Sequence, residues 1–213
     1  VVSKYILGGD APPDLPLGRK ILVPGQVEDD ASIRMGTCAV STNLALLQAT
    51  RAANPDAAIV YKPHPDVEAG LRAGAVAEAD ALGVADAVVR GDPVALIRAV
   101  DAVWTMTSAL GFEALLRGVP VTCLGVPFYA GWGLTEDQME TPLRRCGDVR
   151  LSGLIHAALL GYPRYFDPVT GAPCPIEVIV ERLATGAVSR PSAGLRALSK
   201  VQGMLASYAH LWR

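Results

Sequence analysis

Three acids in a row, Glu28-Asp29-Asp30, follow the apolar run "KILVPG". Adjacent carboxylates at a strand end repel one another unless they are solvated, cap a helix, or face a cation or polar substrate. Two readings follow: an acidic loop in which Asp30 caps a short turn, or a carboxylate serving as nucleophile or general base. A second constellation is "YKPHPD", residues 61–66. Prolines on either side of His64 remove backbone donors and hold φ at about −65°, so rigid geometry sets the direction of the imidazole. Lys62 shares its side if strand alternation continues, and both residues suit an anionic group. The third is "TMTSALGFE", residues 105–113. Thr107 and Ser108 read as helix caps, while the same helix start offers N–H groups and a positive dipole end to a phosphate. Glu113, about a turn further along an apolar helix, is placed to accept hydrogen bonds from ribose hydroxyls. Each pattern is weak alone; in one sheet the three make a nucleotide-sugar site.

The elements that must position these loops alternate between apolar runs and helix-period segments. Strands are predicted at 20–25, 57–62, 86–89, 102–106 and 120–125. Helices are predicted at 41–54, capped by Ser41 or Thr42, at 68–83, at 92–100 with Asp92 capping, and at 108–118. Alternating strands and helices imply an α/β fold: a Rossmann-like parallel sheet with helices on both faces. Ligands of such sheets bind at the carboxyl ends of the strands, where all three loops lie. After residue 126 a loop rich in glycine and aromatics, "PFYAGWGLTED", precedes two C-terminal helices at 151–162 and 175–186. The domain reading is an N-terminal extension over 1–19, a Rossmann-like domain over 20–185, and a basic C-terminal helix over 186–213.

Bulk properties narrow the function. The chain has 213 residues, 51% of them hydrophobic, and a net charge of −2, which gives no argument for nucleic acid. The tail beyond residue 185 carries Arg190, Arg196, Lys200 and Arg213 and no acid. Interleaved with Leu, Met, Tyr and Trp, these suit a helix on anionic lipid at a membrane surface, or one packed back onto another domain. No apolar run reaches the roughly 18 residues that span a bilayer, and no signal peptide is evident at the start. Cys38, Cys123, Cys146 and Cys174 form no C-x-x-C pair, which argues for reduced thiols in a cytoplasmic protein. No nucleotide-phosphate fingerprint is present. Histidines are too few near the acids for a metal hydrolase, His156 and His210 reading as structural, so no metal and no cofactor is expected.

Taken together, "GQVEDDASI", "YKPHPD", "TSALGFEALLRGVPVTCLGVPFYAGWGLTED" and "YPRYFDPVTGAPC" resemble the capsular polysaccharide β-Kdo glycosyltransferases of the KpsC/LipA type, over about residues 20–183. "PFYAGWGLT" is the most specific part. The resemblance implies a GT-B-like enzyme that uses a CMP-β-Kdo donor. Such enzymes build a short β-linked Kdo chain on a phosphatidylglycerol lipid acceptor, at the cytoplasmic face of the inner membrane. It implies retention of configuration through a carboxylate nucleophile, for which Asp30 fits best and Asp29 second. His64 matches a His-Pro histidine expected to contact the CMP phosphate and stabilise the departing charge. Thr107 and Ser108 match the phosphate-binding turn and Glu113 the ribose position, while Gln26, Arg34 and Lys62 are candidates for the Kdo carboxylate. The loop carrying Tyr129 and Trp132 is expected to close over donor or acceptor, its glycines giving mobility and its aromatics a sugar-stacking face; packing of the domain edge is the other reading. GT-B enzymes have two Rossmann-like halves. With the first strand near Lys20, the chain reads as a donor-binding half, a fragment whose acceptor-binding half is a missing partner and which turns over slowly or not at all. The alternatives are a non-catalytic nucleotide-sugar-binding or export-coupling module, and an epimerase or hydrolase for which no water-activating group can be placed.

Overall fold

The structure, a computed structural model, describes residues 14–145 and 147–187. The chain divides between Asp148 and Val149 into two compact units, a division inside the span 20–185 read from sequence as one domain. The basic segment 188–213, with its expected helix and membrane contact, and the extension 1–13 lie outside the described residues.

In the first unit β1 (Lys20–Pro24), α1 (Ala31–Gly36) and α2 (Asn43–Ala53) are followed by β2 (Ala58–Lys62), α3 (Pro65–Glu68) and α4 (Glu78–Leu82). Then come β3 (Ala87–Val88), α5 (Pro93–Arg98), β4 (Ala102–Thr105), α6 (Ala109–Leu115), β5 (Val121–Cys123) and β6 (Glu136–Asp137). All pairings among the six strands are parallel, in the order β3-β2-β1-β4-β5-β6. β1 is central, and Ile21, Leu22 and Val23 are wholly buried, as a strand covered on both faces requires. Successive residues serve opposite faces. Ile21, Val23, Ile59 and Trp104 join Leu46 and Leu47 of α2 and Ala81 of α4 in one cluster. Leu22, Val60 and Val103 alternate with them and turn to the other face, the side of α5 and α6.

Local chemistry explains the helix starts. Thr42 caps α2 by accepting from Ala45 N, Asp92 caps α5 by accepting from Val94 and Ala95 N, and Pro93 occupies its first turn. The single helix expected over 68–83 is not formed. Gly70 and Gly74 take φ of +68° and +121°, and the carbonyls of Ala73 and Gly74 accept from Glu28 N and Asn43 Nδ2 instead of an intrahelical donor. Tertiary hydrogen bonds thus replace helical ones over 69–77, leaving only α3 and α4 at its ends. β6 is a further departure, a two-residue polar edge strand inside the segment read as a loop.

In the second unit α7 (Leu151–Ile155) runs on as a wider π-helical turn over His156–Gly161. A hairpin of β7 (Tyr165–Phe166) and β8 (Pro173–Cys174) precedes α8 (Ile176–Ala184). Asp167 after β7 accepts from Arg182 Nε and Nη2 at 3.1 and 2.9 Å, tying α8 to the hairpin.

Candidate functional site

From β1 the chain moves outward to β2 and β3 on one side; from β4 it moves to β5 and β6 on the other. The order reverses between β1 and β4, and the crevice beyond their carboxyl ends is where such sheets receive ligands. The loop after Pro24, the Met106–Ser108 turn after Thr105 and, beside β1, the Pro63–His64 turn after Lys62 all leave this end.

Each acid of the first loop has its own partner, which answers the repulsion posed by the sequence. Glu28 Oε1 accepts from Asn43 N at 2.7 Å. Asp29 Oδ1 accepts from Arg72 Nη2 at 3.0 Å. Asp30 caps α1, its Oδ1 accepting from Ser32 N at 2.8 Å. A capping turn at Asp30 was one of the two sequence readings; the bond also fixes where the carboxylate points.

Gln26 ties this loop to the third. Its Oε1 accepts from Thr105 Oγ1 and from Thr107 N, both at 2.9 Å, across the point where the strand order reverses. Its backbone is held on both sides by Asn43, whose Oδ1 accepts from Gln26 N and whose Nδ2 donates to Gln26 O, each at 2.8 Å. Gln26 Nε2 is buried with no hydrogen-bond partner among the described residues. Thr107 Oγ1 donates to Ser32 Oγ at 3.2 Å, so a continuous path runs from Asp30 through Ser32 and Thr107 to Gln26.

The third turn differs from its expected form. Ser108 caps α6 by accepting from Leu110 N, as its sequence position suggests. Two amides of the turn are, however, already engaged: Thr107 N with Gln26 and Ser108 N with Thr105 Oγ1 at 3.2 Å. Glu113 is buried on α6, with Arg117 Nη1 donating to its carbonyl at 2.6 Å and standing 4.0 Å from its carboxylate.

The second loop sits close against the first. Gly25 N donates to Lys62 O at 2.7 Å, and a Cβ at Gly25 would stand 2.9 to 3.1 Å from Tyr61 Oη, His64 N and Pro63 Cα. His64 caps α3: its Nδ1 accepts from Asp66 N at 3.2 Å. In the neutral ring this places the proton on Nε2. Strand alternation does not extend from Lys62 to His64, because β2 ends at Lys62. The buried Lys62 ammonium has Glu68 and Asp92 nearby; burial lowers its pKa and the two carboxylates partly offset this. Arg34, on the last turn of α1, is exposed.

The aromatic loop is tied down rather than left mobile. Tyr129, expected to offer a face to a sugar, is 0% exposed. Its ring packs with Phe112 and Phe128, and its hydroxyl donates to Ser108 O. Burial pushes its pKa well above 10, so the phenol stays neutral and a donor. Gly131 and Gly133 take φ of +85° and +74°, Gly131 N donates to Asp137 Oδ2, and Arg145 Nη1 donates to Pro127 O. Trp132 is half-buried, its Nε1 donating to Phe128 O at 2.9 Å.

Sequence reasoning missed Asn43 and Arg72. Asn43 looks like any polar residue in a helix's first turn, and Arg72 lies in a stretch read as helix; their tasks depend on partners many residues away. Among the described residues no group of three or more His, Cys, Asp or Glu is arranged to hold a metal ion.

A parallel sheet in this order, with its polar loops gathered at the reversal of strand order, defines a Rossmann-like α/β domain. Residues 15–165 match the family described as capsule polysaccharide biosynthesis protein, and the chain belongs to that family. It is 51% identical over 151 residues to the capsule polysaccharide modification protein LipA of Neisseria meningitidis serogroup B, covering 70% of this chain and 21% of that one. It is 44% identical over 188 residues to the lipopolysaccharide-processing protein LpsZ of Rhizobium meliloti, covering 86% of this chain and 42% of that one. The chain therefore spans less than half the length of these relatives. Two solved structures from Thermosulfurimonas dismutans are similar. One, KpsC, beta Kdo 2,7 transferase, is 42% identical with a TM-score of 0.74, over 81% of this chain and 56% of that one. The other, KpsC, beta Kdo 2,4 transferase, is 34% identical with a TM-score of 0.68, over 86% and 55%.

Proposed function

We propose that this chain is the donor-binding half of a retaining β-Kdo glycosyltransferase of capsule biosynthesis, taking Kdo from CMP-β-Kdo to a growing β-Kdo chain on a lipid acceptor. The observation that carries this is the hydrogen-bonded path from Asp30 through Ser32 and Thr107 to Gln26 at the reversal of strand order, with the His64 turn packed against the same loop. The similarity to structures named Kdo transferases supports the sugar.

In this reading an Asp30 carboxylate oxygen bonds to the anomeric carbon of Kdo as the bond from that carbon to the phosphate oxygen breaks, its electron pair leaving with CMP. That carbon bears the sugar's carboxyl group and no hydrogen, so its transition state is oxocarbenium-like and an ionised carboxylate suits its capture. An acceptor hydroxyl then attacks the same carbon, displaces Asp30 and passes its proton to the departed CMP, a phosphate monoester whose second pKa is about 6. Two displacements at one centre retain configuration. His64, with its proton on Nε2, donates to the leaving phosphate. Lys62, Arg34 and Gln26 serve the sugar carboxylate, Glu113 the ribose, Thr107 and Ser108 the phosphate turn, and Trp132 the sugar's edge. Asp29 is paired with Arg72 and supports the loop. The protein acts in the cytoplasm, with the acceptor-binding half as partner and peripheral contact to the inner membrane.

Calorimetry with CMP tests the donor site, with circular dichroism to verify the fold; a folded chain giving no heat refutes the reading. In a protein that also carries the acceptor half, Asp30→Ala abolishes transfer, by about 10⁴-fold or more, while Asp29→Asn retains a measurable rate. Unchanged linker synthesis by Asp30→Ala would favour a non-catalytic binding or export-coupling module.

A further inference from the structure

Among its described residues the second unit has almost no core of its own. Leu154 is the one buried apolar side chain there, and Asp167 the other buried residue. Packed elements share an apolar interior, so a further segment must cover the apolar surface of this unit. That surface has a definite shape. A groove of about 380 Å³ has Leu160, Tyr165, Phe166, Pro173, Cys174 and Ile176 in its lining, with Leu160 and Phe166 47% and 57% exposed. Ile176 also begins a stripe along α8. Ile176, Val180 and Leu183 stand at i, i+4 and i+7, and no residue of α8 is buried. Groove and stripe meet at Ile176, so together they offer one apolar strip.

The end of α8 favours a return of the chain. Gly186 takes φ of +68°; its N donates to Leu183 O at 3.3 Å, and Ala187 N donates to Arg182 O at 3.0 Å. These are the paired bonds of a glycine-ended helix, which turn the chain off the helix axis. The sequence that follows, "VSRPSAG" over 188–194, holds the proline and glycine of a connection. Beyond it Leu195, Leu198, Val201, Leu205, Tyr208 and Trp212 recur every three or four residues, which predicts one apolar helical stripe. Arg196 and Lys200 fall on the opposite face of that helix. The lengths agree. α8 has nine residues, about 13.5 Å at 1.5 Å per residue. From Leu195 to Leu205 a helix rises about 15 Å. A helix returning antiparallel along α8 therefore brings Leu205 and Tyr208 level with Ile176 and the groove.

We propose that residues 195–212 of this chain fold back as a helix onto α8 and seat Leu205 and Tyr208 in the groove, completing the core of the second unit. The basic face of the segment then points outward. The inference does not depend on the proposed transfer reaction. Its test is the rate at which N-ethylmaleimide labels Cys174, a residue of the groove lining, in the full chain. Mass spectrometry of peptides follows the reaction, with the exposed Cys38 of the first unit as internal reference. Wild-type Cys174 is expected to react slowly. Leu205→Asp on the returning segment and Val180→Asp on α8 should each speed its labelling at least fivefold and leave Cys38 unchanged. Ser207→Asp sets the same charge on the opposite face of the segment and should stay within twofold of wild type. Hydrogen exchange gives a second readout: amides of residues 195–212 are protected in wild type and released by Val180→Asp, a substitution outside the segment. Equal Cys174 rates in wild type and Leu205→Asp, or no protection of 195–212, would overturn the proposal. So would an effect of Ser207→Asp as large as that of Leu205→Asp. Protection that appears only with phosphatidylglycerol vesicles would assign the stripe to lipid, and protection that rises with protein concentration would assign the groove to a second copy; each outcome overturns the return in cis.

Discussion

Replacing Asn43 by Ala removes the clamp on which the first loop is built. The side chain is 1% exposed and makes three hydrogen bonds of 2.8 Å, to Gln26 N, Gln26 O and Gly74 O. All three leave a buried main-chain group behind when the side chain is lost. A buried hydrogen bond contributes about 1 kcal/mol net, and an orphaned group costs about 1–3 kcal/mol, so Asn43→Ala should destabilise the fold by about 3 kcal/mol or more. Urea unfolding followed by the fluorescence of Trp104, buried in β4, measures the loss; at a slope near 2 kcal/mol/M the midpoint falls by about 1.5 M. Thr42→Ala is the internal comparison. It deletes only the α2 cap, a single 3.2 Å bond from Ala45 N, and should cost about 1 kcal/mol. Equal losses in the two variants would mean that Asn43 acts merely as a first-turn helix residue, and the clamp argument would fail.

Two further substitutions probe packing and charge. Gly111→Ala would set a Cβ 2.1 Å from the Tyr129 hydroxyl oxygen and 2.7 Å from Cζ of that fully buried ring, so it should cost about 2–3 kcal/mol, the upper part of the usual overpacking range. Adding Tyr129→Phe removes the nearer atom together with its hydrogen bond to Ser108 O and should rescue part of the loss in thermal melts; full rescue contradicts the geometry. In the second unit, hydrogen bonds from Arg182 and from Val169 N hold the Asp167 carboxyl down to about 2, below its ordinary 3.8. A depressed folded-state pKa contributes stability that is complete above about pH 4 and lost as pH falls toward 2. Arg182→Gln should therefore flatten the pH dependence of the melting temperature between pH 4 and 2, and parallel slopes in the two proteins would rule out this pair as its source.

What could be read from sequence was what local physics decides. "AAIV" announces a strand covered on both faces because four consecutive apolar residues suit no half-exposed element. Thr42, Asp92 and Ser108 announce helix starts because a short oxygen-bearing side chain satisfies a first-turn N–H wherever it stands. The three loops were legible from their residue types, and the family resemblance added expected roles for the residues in them. What could not be read depended on distant partners. Residues 68–83 carry helical periodicity, yet Gly70 and Gly74 let the chain turn so that Ala73 and Gly74 meet Glu28 and Asn43, roughly 30 to 45 residues earlier. Tyr129 sits among glycines, a setting that suggests an exposed aromatic, but the space beside Gly111 takes its ring inward. Glu136 and Asp137 carry none of the apolar signal of a strand, because an edge position with a polar surround asks for none.

The engaged amides of the third turn shift weight within the proposed mechanism. A helix N-terminus receives a phosphate through N–H groups that lack protein partners. Here Thr107 N, Ser108 N and Leu110 N are bonded to Gln26, Thr105 and Ser108. An anion at this crevice therefore cannot use these three amides without displacing their partners. Displacing Gln26 would break the two bonds of its Oε1, a cost on the order of 2 kcal/mol that an anion offsets only by itself accepting from Thr105 Oγ1 and Thr107 N. Lys62 already lies among Glu68 and Asp92, which limits its charge toward a ligand. His64 is different: its Nδ1 is taken by Asp66 N, so ring orientation and tautomer are both set before any ligand arrives. The bond from Asp66 N and the two prolines beside His64 are thus the means by which the chain sets the direction of this ring beside the first loop.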